Sequence, residues 1–510
     1  MYRKSETQQC LNIGEKPQQL RMMILGSGGA GKSMLISAVT ETFAHHDSAE
    51  LLALCATTGI AASNIGGTML HSWAGLRRSA QSSKWMEKTS EQTKKKRRKN
   101  MKGKNFVIID EISMANKVAF WCTSEIVGEV RAEEGRGDLH APFGGMHVII
   151  CGDFHQFPPV GNPTGALYCE RPNDSREAAL GRSIYQQFET VVMLTKQLRV
   201  KDEVWLNILD RLRIGACTES DLQEIRKLIV NNQSEVVTDF TKDPWKDAIL
   251  ITPRHAVRDR WNTEAVRKHC LATGQRMYIC SAEDTDRTND SELSAEVRFE
   301  IARSTEKQTG GLRDRTIVAI GMKAMVMLNV ATEADIANGT RGTIHDIILD
   351  PREVPRQGED GTTILKYPPA AIIFKPNGKC NIQFDGLDAG LVPILPSKTT
   401  FSVTVRNKSH SISQRQLALA PAYAFTDYKA QAQTLEYVTI DISQPPSGSL
   451  SPFNAYVALS RSRGRGTIRL LRDFNDELFV HHPSEDLRRE MLRLEELNKE
   501  TQIKFETSRS

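Results

Sequence analysis

Apolar residues come in short continuous runs through the first third of the chain: RMMIL (21–25), LLALCA (51–56), FVIID (106–110) and HVIICGD (147–153). Runs of this length bounded by polar turns read as strands buried on both faces, the pattern of a parallel sheet covered by helices. After the first run, Leu35, Ile36, Val39 and Phe43 recur at helical spacing, so a helix follows the first strand. From Leu194 the alternation restarts. VWLNILDRLRIG (204–215) has amphipathic helical spacing with Gly215 as its stop, and DAILITP, EYVTIDI and TIRLL read as strands of a second α/β unit. Residues 321–414 differ, being rich in β-branched positions and in turn signals such as NGTRG, PNGK and FDGLDAG, which predict a small β domain inserted into that second unit. The polar, acidic stretch 281–300 reads as a mobile connector. Leu487, Met491, Leu494 and Leu497 share a helical face and predict a C-terminal helix packing on the body.

The expected organisation is therefore a first lobe over 1–193, a second lobe over 194–320 and 415–480, a β insertion over 321–414 and a helical tail over 481–510. A length of 510 residues leaves room for this, at roughly 150 residues per domain. No run approaches the ~18 apolar residues of a membrane span. The first residues, MYRKSETQQC, lack the apolar core of a secretory signal, so the sequence reads as intracellular. Nine cysteines without a C-x-x-C pair argue against both a zinc site and a disulfide framework, and suit a reducing compartment as small buried apolar residues. The net charge of +5 says little about partners, but its distribution says more. Residues 77–105 break the composition as a basic surface insertion, and KKKRRKNMKGK (94–104) holds eight cations in eleven residues. A solvated flexible loop, a nuclear-import signal and a contact to a phosphate backbone all fit that run.

The chemistry starts at GSGGAGKS. Gly26, Gly28, Gly29, Ala30, Gly31, Lys32 and Ser33 fit G-x-x-x-x-G-K-[ST] between a strand and a helix, the context that turns backbone N–H groups onto phosphate oxygens. In that role Lys32 reaches the β- and γ-phosphates of a nucleoside triphosphate and the Ser33 hydroxyl ligates Mg2+. FVIIDEISM delivers two carboxylates from a strand end: Asp110 to hold the metal, Glu111 to orient or deprotonate the attacking water. Gln156, in CGDFHQFPPV, can both donate and accept at the edge of such a site, with Pro158 and Pro159 fixing the chain direction after it. Arg199 and Arg461 are candidate cations for the charge that grows in phosphoryl transfer, although Arg463 and Arg465 also allow Arg461 to be part of a basic patch.

In order and wording these segments resemble the Pif-type DNA helicases of superfamily 1B, related to RecD. The resemblance runs from about Leu20 to Phe474 through GSGGAGKS, TTGIAASNIGGTMLHSWAG, IIDEISM, GDFHQFPPV, LTKQLRV, VMLNVATEADIANGTRG, AFTDYKAQAQTLEYVTIDI and YVALSRSR. It implies an α/β fold of two RecA-like phosphate-loop lobes, parallel sheets flanked by helices, with a small β-barrel of the Src-homology type inserted in the second. ATP and Mg2+ are the implied cofactors. ATP is implied between the lobes, with Lys32, Ser33, Asp110, Glu111 and Gln156 on one side and Arg199 and Arg461 reaching across from the other. Single-stranded DNA is implied to meet Thr58, His71 and Pro158 in the first lobe and Lys429 and Gln431 in the second.

The implied activity is ATP-driven 5′-to-3′ unwinding of tailed duplex DNA in repair, recombination and telomere maintenance, by a nuclear or mitochondrial protein with no membrane contact, acting as a monomer or with partners the residues do not name. The sequence departs from the family at TDYKAQAQT, where Tyr428, Ala430 and Ala432 replace the usual His, Ser and Gly, and at Phe453–Asn454, where Gly-Gln is usual. An alanine in place of glycine matters if the backbone there needs a positive φ. Those departures keep open an ATP-regulated single-strand clamp, or a degenerate transposon-derived copy without productive unwinding. A switch NTPase fits the phosphate loop alone. The segment ahead of that loop is short and offers Gln8, Gln9, Gln18 and Gln19 for reading adenine, as in a truncated reading frame.

Overall fold

The computed structural model describes residues 18–508 except 77–88, 231–236, 288–292, 305–307, 329–335, 337, 355, 359–361, 378–382 and 447. Its chain forms two compact units, Met1–Lys201 with His482–Ser510, and Asp202–His481.

The first unit is built on strands β1 (Arg21–Gly26), β2 (Leu52–Ala56), β3 (Thr68–Met69), β4 (Phe106–Asp110), β5 (His147–Gly152) and β6 (Thr190–Leu194). They lie in the order β3-β2-β4-β5-β1-β6, and every ladder is parallel. The four apolar runs are β1, β2, β4 and β5, and their side chains are largely buried, as a doubly covered sheet requires. The helices are α1 (Lys32–His45), α2 (Gly59–Asn64), α3 (Leu70–Trp73), α4 (Glu91–Met101) and α5 (Lys117–Glu133), with a further helix at Arg176–Gln186. Because β6 pairs with β1, the unit extends past residue 193 to Lys201.

Two further expectations are corrected here. The basic run is not a flexible loop: its centre is α4, capped by Ser90, whose hydroxyl accepts from the Thr93 N–H. Arg97 and Met101, one turn apart, are buried, and Arg97 donates to the carbonyls of Ala74 (3.0 Å) and Gly75 (3.2 Å). The earlier part of the insertion, 77–88, lies outside the described residues. The C-terminal helix, Glu485–Thr507, is no separate tail but part of the first unit. Leu487 and Leu494 of the expected stripe are fully buried. Asn498 Oδ1 accepts from the Met193 N–H (2.9 Å) and Thr501 Oγ1 from the Val191 N–H (3.0 Å), so the helix satisfies donors on the free side of the edge strand β6.

The second unit holds a parallel sheet in the order Ala424–Phe425, Ile249–Ile251, Val438–Ile440, Ile468–Leu470. Its helix Glu203–Arg213 stops as expected, with Gly215 at φ 65°. The β-rich region is wider than 321–414. A five-stranded sheet runs Val392–Ile394, Ala371–Pro376, Arg341–Ile348, Lys323–Val326, Leu419–Pro421, and a four-stranded one includes Tyr278–Ser281 and Arg315–Val318. The two share one apolar core containing Cys280, Val318, Val326, Phe374 and Val392. A long hairpin, Ser397–Val405 with Lys408–Gln416, adds Glu283–Asp286 as a third strand. Among the described residues no ladder closes these sheets into a barrel. The supposed mobile connector contributes strands at 278–281 and 283–286 and a helix, Ala295–Arg303. Leu293, Val297 and Ile301, four residues apart within a polar stretch, pack there against Val403 and Ile412. The seven cysteines among the described residues are free and buried, and no described helix is long and apolar enough to cross a membrane.

Candidate active site

A parallel sheet puts the carboxyl ends of all its strands on one edge, where α/β folds place their ligands. In the first unit five neighbouring strands end in five of the sequence motifs. β6 leads into TKQLRV, β1 into GSGGAGKS, β5 into GDFHQFPPV, β4 into DEISM and β2 into TTG. Chain order scatters these segments over about 175 residues from Gly26 onward, and the sheet order brings them together side by side.

The phosphate loop turns at Gly29 (φ 94°) and Gly31 (φ 91°), both left-handed. A Cβ on Gly29 would come within 2.4 Å of Gln197 Oε1 and 2.6 Å of Arg199 Cβ, and one on Gly31 within 2.9 Å of Leu198 Cδ1. Glycine is thus required twice over, by φ and by close approach. Lys32, the first residue of α1, donates from Nζ to the carbonyls of Gly26 (2.7 Å) and Ser27 (3.2 Å), which holds its ammonium inside the turn. Ser33 follows on the exposed first turn of α1. The strap 197–199 lies against this loop: the Leu198 N–H donates to the Gly29 carbonyl (2.9 Å), and Gln197 Nε2 to the Gly28 carbonyl (3.1 Å). Arg199, expected on the facing lobe, therefore belongs to the loop's own unit, because the pairing of β6 with β1 carries it there. Gln197 was missed in the sequence. Its only signal is its place two residues before Arg199.

At the end of β4, Glu111 adopts φ 54° and ψ 43°. The left-handed region costs a residue with a side chain roughly 1–2 kcal/mol, and here neighbouring contacts hold it. Thr57 Oγ1 donates to the Glu111 carbonyl (2.7 Å), the Thr57 N–H to the Asp110 carbonyl (3.2 Å), and the Glu111 N–H to Asp110 Oδ1 (2.8 Å). Asp110 and Glu111 are each 5% exposed. Burial first, then the Glu111 charge, raise the Asp110 carboxyl above its ordinary range, and Lys32 pulls against them. Gln156, 2% exposed, has its Oε1 buried with no hydrogen-bond partner. A buried acidic pair, an acceptor lacking a donor and a glycine cradle around an ammonium fit a magnesium–triphosphate. Lys32 and the loop glycines would hold phosphate, and Ser33 and Asp110 the metal.

The remaining candidates fall in two groups. In the first unit, the Thr58 hydroxyl caps α2 by accepting from the Ala61 N–H (3.2 Å), His71 lies half-buried on α3, and Pro158 is half-buried after Gln156. Gln19 is committed to structure, donating to the carbonyls of Pro142 (2.7 Å) and Met146 (2.6 Å). Gln8 and Gln9 lie outside the described residues. In the second unit, the helix Pro452–Leu459 and the turn after it dock both ends of TDYKAQAQT. Asn454 Nδ2 donates to Asp427 Oδ2 (2.5 Å), and Arg461 Nη1 to the Gln433 carbonyl (3.2 Å). Arg461 is buried, with Nε donating to the Val457 carbonyl (2.8 Å). Lys429 is half-buried, Gln431 is buried, and Ala432 has φ 62°. The alanine at the alanine-for-glycine exchange therefore does sit at a positive φ.

A parallel sheet with a phosphate loop after a central strand and an acidic pair two strands away defines the first unit as a phosphate-loop nucleotide-binding lobe. Residues 6–215 match the family model of the PIF1-like helicases. Over 86% of its length the chain is 27% identical to ATP-dependent DNA helicase PIF7 of Trypanosoma brucei brucei, covering 43% of that protein. Over 96% it is 24% identical to ATP-dependent DNA helicase PIF1 of Emericella nidulans, covering 63%. The chain thus spans about half to two thirds of the length of these two curated relatives. The crystal structure of the Candida albicans Pif1 helicase superposes with a TM-score of 0.65 at 22% identity, covering 96% of this chain and 97% of that one. A Bacteroides Pif1 bound to single-stranded DNA gives 0.61 at 20% identity, covering 96% of each. The chain is thus similar to the PIF1-like helicases, through the family model over residues 6–215 and through helicase relatives over most of its length.

Proposed function

We propose that the chain is an ATP-dependent DNA helicase that moves 5′ to 3′ on single-stranded DNA and unwinds tailed duplexes. The observation that carries the reading is the convergence of GSGGAGKS, DEISM, GDFHQFPPV and TKQLRV on one sheet edge, with a buried acidic pair beside the glycine cradle. Magnesium bound there supplies charge neutralisation for the β- and γ-phosphates. Lys32 orients the phosphates, Glu111 holds the attacking water and takes its proton, and Gln156 offers an amide to the γ-phosphate edge. DNA binding is supported by the match of residues 6–215 to the PIF1-like helicase model and by relatives described as DNA helicases. A role in repair, recombination and telomere maintenance, in the nucleus or mitochondrion, belongs to the same reading.

Purified protein should hydrolyse ATP faster with a single-stranded oligonucleotide and release a labelled strand from a 5′-tailed duplex but not from a 3′-tailed one. Lys32→Ala should lower turnover by two or more orders of magnitude; unchanged hydrolysis in that variant would defeat the assignment. The left-handed Ala432 and the exposed Tyr428 favour a second reading, an ATP-regulated single-strand clamp. Binding without strand release would select it.

A further inference from the structure

The helix α4 belongs to none of the motifs, yet it carries the densest charge in the chain. Its two faces differ. Thr93, Arg97 and Met101 recur every four residues on the side that packs inward, with Arg97 and Met101 buried. Lys95 and Lys99 recur with the same period about half a turn away, and Lys102 at the C-cap continues their line. All three are exposed, as is Lys96. Among the described residues none of these four lysines has an ion-pair partner, whereas Lys94 pairs with Glu91 and Arg98 with Glu133. The stripe from Lys95 to Lys102 is about 10 Å long at 1.5 Å per residue.

The helix is also fastened to a segment singled out for DNA contact. Arg97 holds the carbonyls of Ala74 and Gly75, Asn100 Nδ2 donates to the Trp73 carbonyl (2.9 Å), and Trp73 Nε1 donates to the Asn100 carbonyl (3.3 Å). Trp73 ends α3, the helix that carries His71. These bonds fasten the inward face of α4 to that segment and leave the lysine stripe on the opposite, exposed face.

We infer that Lys95, Lys99 and Lys102 form a contact for the phosphate backbone of duplex DNA, separate from the residues that grip the single strand. Resting on the helicase reading, this deepens it by naming a duplex-binding surface. Three observations favour duplex over single-stranded DNA and over an import receptor. Single-strand sites pair cations with aromatic stacking platforms, and α4 (EQTKKKRRKNM) contains no aromatic residue. Phosphate contacts alone suit a backbone read without regard to sequence. A receptor that reads the linear run KKKRRK would have to unwind the helix and extract Arg97, which is 5% exposed and hydrogen-bonded to two carbonyls.

The test is the triple variant Lys95→Gln, Lys99→Gln, Lys102→Gln in the full chain. Binding of a blunt duplex, a 5′-tailed duplex and a single-stranded oligonucleotide is measured across a salt series, with single-strand-stimulated ATPase in parallel. Both duplexes should bind about a hundredfold more weakly near 0.1 M salt, with the salt slope reduced by about 2–3. Single-strand affinity and stimulated ATPase should stay at wild-type values. Equal losses on single strand and duplex would overturn the proposal in favour of a general grip. Unchanged duplex binding would overturn it outright, and loss of nuclear accumulation alongside that would identify an import signal. A wild-type chain whose ATPase ignores single strands while the variant still loses duplex affinity would instead count against the helicase reading and leave the stripe standing.

Discussion

At Ala432 a side chain sits where the backbone prefers none. The methyl group costs roughly 1–2 kcal/mol in the left-handed region, while glycine there gives back ~0.5–1 kcal/mol in chain entropy. Ala432→Gly should therefore leave stability unchanged or raise it by up to ~1 kcal/mol in denaturant unfolding. A loss larger than that would show that the methyl group makes a contact worth keeping. Asp284, on the third strand of the long hairpin, behaves differently. Burial, with Asp314 adding to it and Arg298 opposing, raises its carboxyl from 3.8 to about 6. The folded state then holds a proton that the unfolded chain releases, so this group's contribution to stability falls as pH rises from about 4 to about 6 and stays low above that. Asp284→Asn, which mimics the neutral form, should raise the melting temperature above pH 6, with the gain fading towards pH 4. A gain independent of pH would point to a cause other than titration.

Among the elements, β6 is the one whose stability is borrowed. As an edge strand it presents unpaired N–H groups, and two of them, on Val191 and Met193, are met by Thr501 and Asn498 of the helix Glu485–Thr507. A backbone donor left without its partner costs about 1 kcal/mol or more, less where water can enter. The double variant Asn498→Ala, Thr501→Ala should lose about 1–3 kcal/mol and speed hydrogen exchange at exactly those two amides. Exchange unchanged at Val191 and Met193 would show the caps to be incidental. The apolar runs of β1, β2, β4 and β5 were legible because each is buried on both faces. β6 (TVVML) is not legible in the same way, because only Val191 is buried and the domain boundary expected at Leu194 falls inside it. The helix Ala295–Arg303 also went unread, its two buried positions, Val297 and Ile301, set among charged neighbours. α4 was read by its charge, which concealed the four-residue period of Thr93, Arg97 and Met101.

On the scale of the molecule, sequence motifs named the residues that converge on the candidate site but could not assemble them. Asp110, Gln156 and Lys32 are linked only by strand order, which no local pattern encodes. The misplacement of Arg199 has the same origin, because its unit is decided by the pairing of β6 with β1. Unit membership also fixes a topology that the linear domain plan missed: the second unit is an insertion within the first, interrupting it between Lys201 and His482.

That interruption has a consequence in time as well as in space. A ribosome making this chain finishes Thr190–Leu194 and must then add roughly 280 residues before the helix that caps that strand emerges. At about 5–20 residues per second the delay is roughly 15–60 s. Throughout it the nucleotide-binding lobe carries an open strand edge, in a crowded setting where open edges recruit other chains. Newborn copies are thus most exposed to mispairing after their first lobe is written and before their last helix arrives, so anything that stalls translation across residues 202–481 prolongs the vulnerable interval.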